Sequence, residues 1–146
     1  MFFSVGVCLP ENDQTAFGLV VPALCNENYG CLSAADTEAE IAARAREAIL
    51  LIVEQMAEDN VDLSTLHDTG ILRYKKDTQW ADYSEWFAVD VDISRFSGRP
   101  LRINISLPDT LLACIDNRVK ENPAAYRDRS HFLAQAARHE LSAHQK

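Results

Sequence analysis

Two hydrophobic periods follow one another along the chain. Residues 3–9 alternate, with Phe3, Val5, Val7 and Leu9 on one side and Ser4, Gly6 and Cys8 on the other. A period of two is that of a strand with one buried face. The turn-forming run Pro10-Glu11-Asn12-Asp13-Gln14 follows, and then Phe17, Leu19 and Val21 alternate up to Pro22. A loop over residues 25–28 leads into a third short strand around Tyr29–Ser33. Three short strands with tight connections predict an antiparallel meander.

The period then changes to that of a helix. Ile41, Ala45, Ala48, Ile49, Ile52, Val53 and Met56 recur at three and four, while Glu38, Arg44, Glu47 and Glu54 fall on the other side. Thr37 and Glu40 have the spacing of a capping box, which places the helix start at Thr37 and its end near Asp59. Residues 60–84 are less patterned. They predict a helical turn at Asp62–Leu66 and a short strand at Ile71–Tyr74. Trp80, Tyr83 and Trp86 read as core aromatics rather than an exposed partner-binding patch. Phe87, Val89, Val91 and Ile93 alternate again as a clear strand, so the order is β-β-β-α-β.

Ser94-Arg95-Phe96-Ser97-Gly98-Arg99-Pro100 reads as a linker, after which a different unit begins. Arg102-Ile103-Asn104-Ile105-Ser106-Leu107 alternates strictly and closes at Pro108. Asp109 is placed to cap a helix bearing Leu111, Leu112, Ile115 and Val119, which stops at Asn122-Pro123. Asp128-Arg129-Ser130 opens a second helix with Phe132, Leu133, Ala136, Ala137 and Leu141 on one side. The expected organisation is therefore an α+β domain over residues 1–96 and a strand–helix–helix domain over 101–146.

Composition fits a folded protein, with 47% hydrophobic and 25% charged residues among 146. No apolar run reaches the length of a membrane span, and the N-terminus lacks the basic start of a signal peptide, so no membrane partner is expected. The four cysteines form no CxxC pair and suit free thiols in a reducing cytoplasm. Net charge is −8, which taken whole speaks against nucleic acid. The total conceals a division. Residues 1–98 hold 6 basic and 17 acidic groups, net −11, and residues 99–146 hold 8 basic and 5 acidic, net +3. Such asymmetry is the pattern of a nucleic-acid module joined to an acidic one.

A lone short strand leaves half its backbone groups unpaired, and two short helices cannot bury a sufficient core. Two copies remove both difficulties. The strands pair as an antiparallel ribbon over a dimer core of Ile103, Ile105, Leu107, Ile115, Phe132 and Leu133. Arg102, Asn104 and Ser106 then face outward on a ribbon that fits the DNA major groove, where Arg suits guanine and Asn suits adenine. The start of the second helix, Arg129-Ser130-His131, is placed to hold a phosphate.

The strand closed by Leu107-Pro108, the helix centred on Ile115 and the Arg129-Ser130 opening resemble a ribbon-helix-helix repressor domain. That likeness implies base contacts by Arg102, Asn104 and Ser106. The apolar strand closing on Pro22-Ala23-Leu24, then Gly30-Cys31, Ser33, Asp36-Thr37 and an Ala- and Glu-rich helix resemble the HicB antitoxin family. Family members often carry an acidic residue where this chain has Ala23. The resemblance implies a partial RNase H-like fold without catalysis, which masks a small ribonuclease toxin, HicA, while the tail represses the operon. It implies a HicA-like toxin, operator DNA and a homodimer as partners, with tetramers through the first domains left open. A net −11 domain complements a basic RNA-binding toxin.

Neither a catalytic residue nor a cofactor is expected. Asp90 and Asp92, joined by Asp36, Glu40 or Glu47, would be the carboxylates of a metal-dependent nuclease, but a solvated strand face has the same pattern. His139 and His144 are five residues apart and so fall on different helical faces, and Cys25 and Cys31 lack a histidine at zinc spacing. Ser64 and Ser84 have no nucleophile-elbow context. The competing functions are a free-standing repressor with an acidic sensor domain and an RNase H-like nuclease.

Overall fold

The computed structural model describes residues 1–12, 14–98 and 101–143. Asp13 of the first turn, Arg99 and Pro100 of the linker, and residues 144–146, including His144, lie outside the described residues. The chain divides into two compact units, one of Met1–Glu58 and Asp62–Gly98, the other of Asp59–Val61 and Arg99–Lys146.

The first unit is a four-stranded antiparallel sheet packed on a helix. β1 (Phe2–Cys8), β2 (Phe17–Val20), β3 (Leu32–Ala35) and β4 (Glu85–Asp90) stand in the order β3-β2-β1-β4. β1 is central and pairs with β2 at Val7↔Leu19 and with β4 at Val5↔Phe87 and Phe3↔Val89. The alternation therefore puts Phe3, Val5, Val7, Leu19, Phe87 and Val89 on one face. Helix α1 (Ile41–Glu58) covers that face with Ala45, Ile49, Val53 and Met56, all buried. Each such large aliphatic side chain removed from water contributes about 1.5–3 kcal/mol, which is what holds the helix to the sheet.

The segment between α1 and β4 covers part of the opposite face, on which Phe2 and Ala88 stay exposed. Tyr74 stacks on Trp86 at 5.9 Å, and the Trp86 indole N–H donates to the Tyr83 carbonyl at 2.7 Å. The three aromatics Trp80, Tyr83 and Trp86 are half-buried. Gly6 lies beneath them, and a Cβ at this position would come within 3.0 Å of both Trp86 and Tyr83. β2 pairs only with residues 6–8 of β1, leaving the start of β1 bare on that side. Asp68 fills the gap, its carboxylate accepting from the Ser4 amide, the Ser4 hydroxyl and the Gly70 amide, each at 2.7 Å.

Several local expectations are corrected. Ile71–Tyr74 is a helical turn, α2, and not a strand. Gly70 reverses the chain at φ 92°, and the amides of Arg73 and Tyr74 bond back to its carbonyl, so the apolar run never reaches a strand partner. The capping box does not form. Thr37 makes no side-chain cap bond, Glu38–Glu40 is a 3-10 turn, and α1 begins at Ile41. β3 starts at Leu32 because Asn26 ties Tyr29 into a turn, with its side-chain oxygen accepting from the amides of Asn28 and Tyr29. β4 starts at Glu85 and ends at Asp90, paired with Phe2, and Met1 and Val91 exchange backbone hydrogen bonds just beyond it.

The second unit carries α3 (Asp109–Glu121) and α4 (Arg129–Ala143). Asp109 is the first helical residue and not the cap, and its carboxylate accepts from the Thr110 amide. Asn122 closes α3 by donating from its side chain to the Arg118 carbonyl. Arg129 joins the helices through a bidentate pair with Asp116 at 2.9 and 2.7 Å, and Tyr126 meets Phe132 edge-on at 5.0 Å.

Candidate functional site

Residues 101–108 form no strand within the single chain. Arg102, Asn104 and Ser106 are exposed, as the outward positions of a ribbon must be, but the alternate positions are exposed as well. Leu101 is 84%, Ile103 75% and Ile105 55% exposed, and Leu107 is half-buried. The sequence expectation of a strand at 102–107 is thus not met by one copy, for a physical reason: its backbone has no neighbouring strand to pair with. Of the remaining positions assigned to a dimer core, Ile115 is buried, while Phe132 and Leu133 are half-buried between the helices.

The opening of α4 is occupied by protein groups. Asp128 caps it, its carboxylate accepting from the His131 amide at 2.8 Å, and that bond together with its Arg127 partner holds the Asp128 carboxyl below the usual aspartate range. The Arg129 guanidinium commits two of its donors to Asp116; the Arg129 hydrogen bonds hold the Asp116 carboxyl low and raise the guanidinium further. Three guanidinium N–H groups remain for another acceptor. The His131 ring accepts from the Arg127 amide, and Ser130 is exposed. Sequence reasoning missed the Asp116–Arg129 pair, because nothing in the sequence aligns one helix with the other.

In the first unit three of the carboxylates weighed for a metal, Asp90, Asp92 and Glu47, are engaged elsewhere, Glu47 with Arg44. Asp90 accepts from the chain's amino group at 3.0 Å, and Arg46 donates to the Asp90 carbonyl. Asp92 lies beyond the strand, so alternation does not align it with Asp90, and the Ser94 hydrogen bonds hold its carboxyl below the usual range. Among the described residues no group of three or more His, Cys, Asp or Glu side chains is arranged to hold a metal. All four cysteines carry free thiols. Cys31 is buried, and burial, with Cys25 alongside, pushes its thiol up to about 12. No helix among the described residues is long and apolar enough to cross a membrane.

Residues 5–137 match the family model of the HicB-like antitoxin of bacterial toxin–antitoxin systems. The chain belongs to the HicB-like antitoxin family. A relative in Haemophilus phage HP1, an uncharacterized 14.9 kDa protein from the rep-hol intergenic region, is 37% identical over 112 residues, 77% of this chain and 81% of that protein. Among solved structures, the antitoxin HicB of Burkholderia pseudomallei is 30% identical with a TM-score of 0.52, covering 97% of this chain and 98% of that one. A chain from a HicA3–HicB3 toxin–antitoxin complex shares the fold at 20% identity and a TM-score of 0.50, covering 63% of this chain and 99% of that one. The four-stranded α+β architecture is the one these antitoxins have.

Proposed function

We propose that this chain is an antitoxin that binds and masks a HicA-like toxin through its acidic first unit and represses its own operon through its second. Family membership carries the first half, because the model match runs through both units. The acidic first unit adds a physical motive: net −11 over residues 1–98 steers a basic RNA-binding protein toward it and repels RNA from the complex. The protein has no catalytic role in this reading, and its partners place it in the cytoplasm.

The second half rests on one observation, the exposed row Leu101, Ile103 and Ile105 ahead of α3 and α4. An apolar row of this kind costs free energy in water and is relieved when two copies pair as a ribbon-helix-helix dimer. Pairing would turn Ile103, Ile105 and Leu107 toward Ile115, Phe132 and Leu133, and present Arg102, Asn104 and Ser106 to base edges. The Ser130 hydroxyl, the His131 ring and the uncommitted Arg129 N–H groups would meet phosphates. At net +3 over residues 99–146, the C-terminal part of the chain draws its DNA affinity from dimerisation and base contacts more than from bulk charge. Two dimers joined through their first units would engage two operator half-sites.

The test is co-expression with the product of the adjacent reading frame, scored for growth rescue and complex formation, with a gel shift on the chain's own promoter. Rescue without a shift removes the repressor half. A shift without rescue or complex favours a free-standing repressor. Metal-dependent RNA cleavage lost in Asp90→Asn would replace both with a nuclease.

A further inference from the structure

Where β1 leaves the sheet, a cleft of about 390 Å³ opens between the sheet and the start of α1. Its floor is apolar, made by Val7, Leu9, Phe17, Ile41 and Phe87. The first fully buried residue of α1 is Ala45, one turn beyond Ile41, so the helix does not close this corner. Leu9 remains 49% exposed there, and Phe17, Ile41 and Phe87 are half-buried. Glu38 and Glu85 stand at the rim, both exposed, and neither is ion-paired with a cation among the described residues. Glu40 belongs to the same 3-10 turn as Glu38, and its Oε2 is sealed from solvent with no hydrogen-bond partner.

We propose that this corner is the docking surface for the toxin, and that it receives a basic amphipathic segment. One large apolar side chain would enter the cleft while flanking Lys or Arg side chains meet Glu38 and Glu85. The assignment rests on the antitoxin reading and adds the surface to it. An apolar pocket ringed by polar groups has the anatomy of a binding hot spot, in which the rim excludes water from a central anchor. The rim is of one sign, so the occupant must be of the other. A second copy docking through the same corner would bring Glu38 and Glu85 against their own likeness, which is repulsive. Of the other exposed apolar pairs of this unit, Phe2 and Leu72 adjoin Arg73 and an Asp68 carboxylate already committed to Ser4 and Gly70, and Leu32 and Leu51 at the β3 edge adjoin Asp36 and an Arg44–Glu47 ion pair. Mixed sign at either place does not select a basic partner.

The test uses the full-length chain and the protein encoded by the adjacent reading frame, with binding measured by calorimetry and association by stopped flow. Leu9→Asp is expected to weaken binding about tenfold or more, through loss of the apolar anchor. Glu38→Lys with Glu85→Lys is expected to do the same, chiefly by slowing association. Glu27→Lys with Glu54→Lys makes the same change in net charge away from the cleft, with Glu54 roughly 20 Å along α1 from Ile41, and is expected to stay within about threefold. Melting curves establish that each variant is folded. On complex formation, amides of residues 7–9, 38–42 and 85–87 in the unmodified chain are expected to exchange more slowly. Binding like that of the parent in both cleft variants, without slowed exchange, overturns the assignment and leaves the antitoxin reading standing. An equal loss in the Glu27/Glu54 pair replaces the corner with the bulk field. A change in the chain's own oligomeric state in Leu9→Asp assigns the corner to a second copy. Failure of the parent chain to bind removes both proposals.

Discussion

The two units use apolar residues in opposite ways. In the first, the strand alternation and the helical stripe meet each other, and Phe3, Val5, Leu19, Ile49 and Val53 are sealed. In the second, Ile115 is the one buried apolar side chain among the described residues, and Leu101, Ile103, Ile105, Leu111 and Leu141 face solvent. Both carry clear periodic patterns, so pattern alone does not tell a finished core from half of one. The difference lies in whether the chain itself supplies the opposing surface. The first unit has a sheet for its helix; residues 101–108 have no second strand.

Substitutions can separate the two cases. The largest expected effect is in the first unit: Ile49→Ala should cost about 2–5 kcal/mol in chemical denaturation, whatever the protein concentration. A stability for this variant that depends on concentration would mean that the first unit is not self-sufficient. In the second unit, Ile105→Asp should lower operator affinity about a hundredfold or more by placing a carboxylate in the paired core, while leaving the first unit's melting unchanged. Undiminished DNA binding by a dimer of Ile105→Asp would break the comparison, because the exposed row would then have no buried counterpart.

Smaller effects refine it. Arg102→Ala and Asn104→Ala should each cost roughly 1–3 kcal/mol in operator binding without altering dimerisation, as read by gel shift and ultracentrifugation. Gly6→Ala should destabilise the first unit by about 1–3 kcal/mol, since the new methyl meets Trp86 and Tyr83 at 3.0 Å. The Asp116–Arg129 pair makes the helix junction of the second unit acid-sensitive. Its hydrogen bonds depress the Asp116 pKa, so the contribution is complete above the ordinary aspartate value of about 3.9 and fades as pH falls through the lower folded value. Asp116→Asn should remove that acid limb from a helicity titration. Thiol labelling should be the mildest test, modifying the exposed Cys114 well before the buried Cys31, whose thiol is held near 12.

What was legible in the sequence follows from the same physics. β1 and α1 could be read directly, because a long run with a single period admits one buried face. The division of charge near residue 98 was visible because it needs only counting. Ile71–Tyr74 misled because four apolar-leaning residues fit a strand or a turn equally, and Gly70 decided between them. The polar row Arg102, Asn104 and Ser106 was nameable from alternation, and so was the need of a lone strand for a partner; the single chain supplies none, and residues 101–108 form no strand in it.

By itself the sequence determined the order of the four strands and of helices α1, α3 and α4, the acidic and basic halves, and the resemblance to the HicB antitoxins that the family match establishes, since all of these are properties of order along the chain. Tertiary structure alone decided the rest. It placed β1 between β2 and β4, brought Asp68 to the bare start of β1, set Asp116 against Arg129, and left the corner beside Ile41 open between Glu38 and Glu85. Those contacts join residues far apart in the chain, and only the packing of whole elements, which minimises exposed apolar area and unpaired backbone together, brings them within reach.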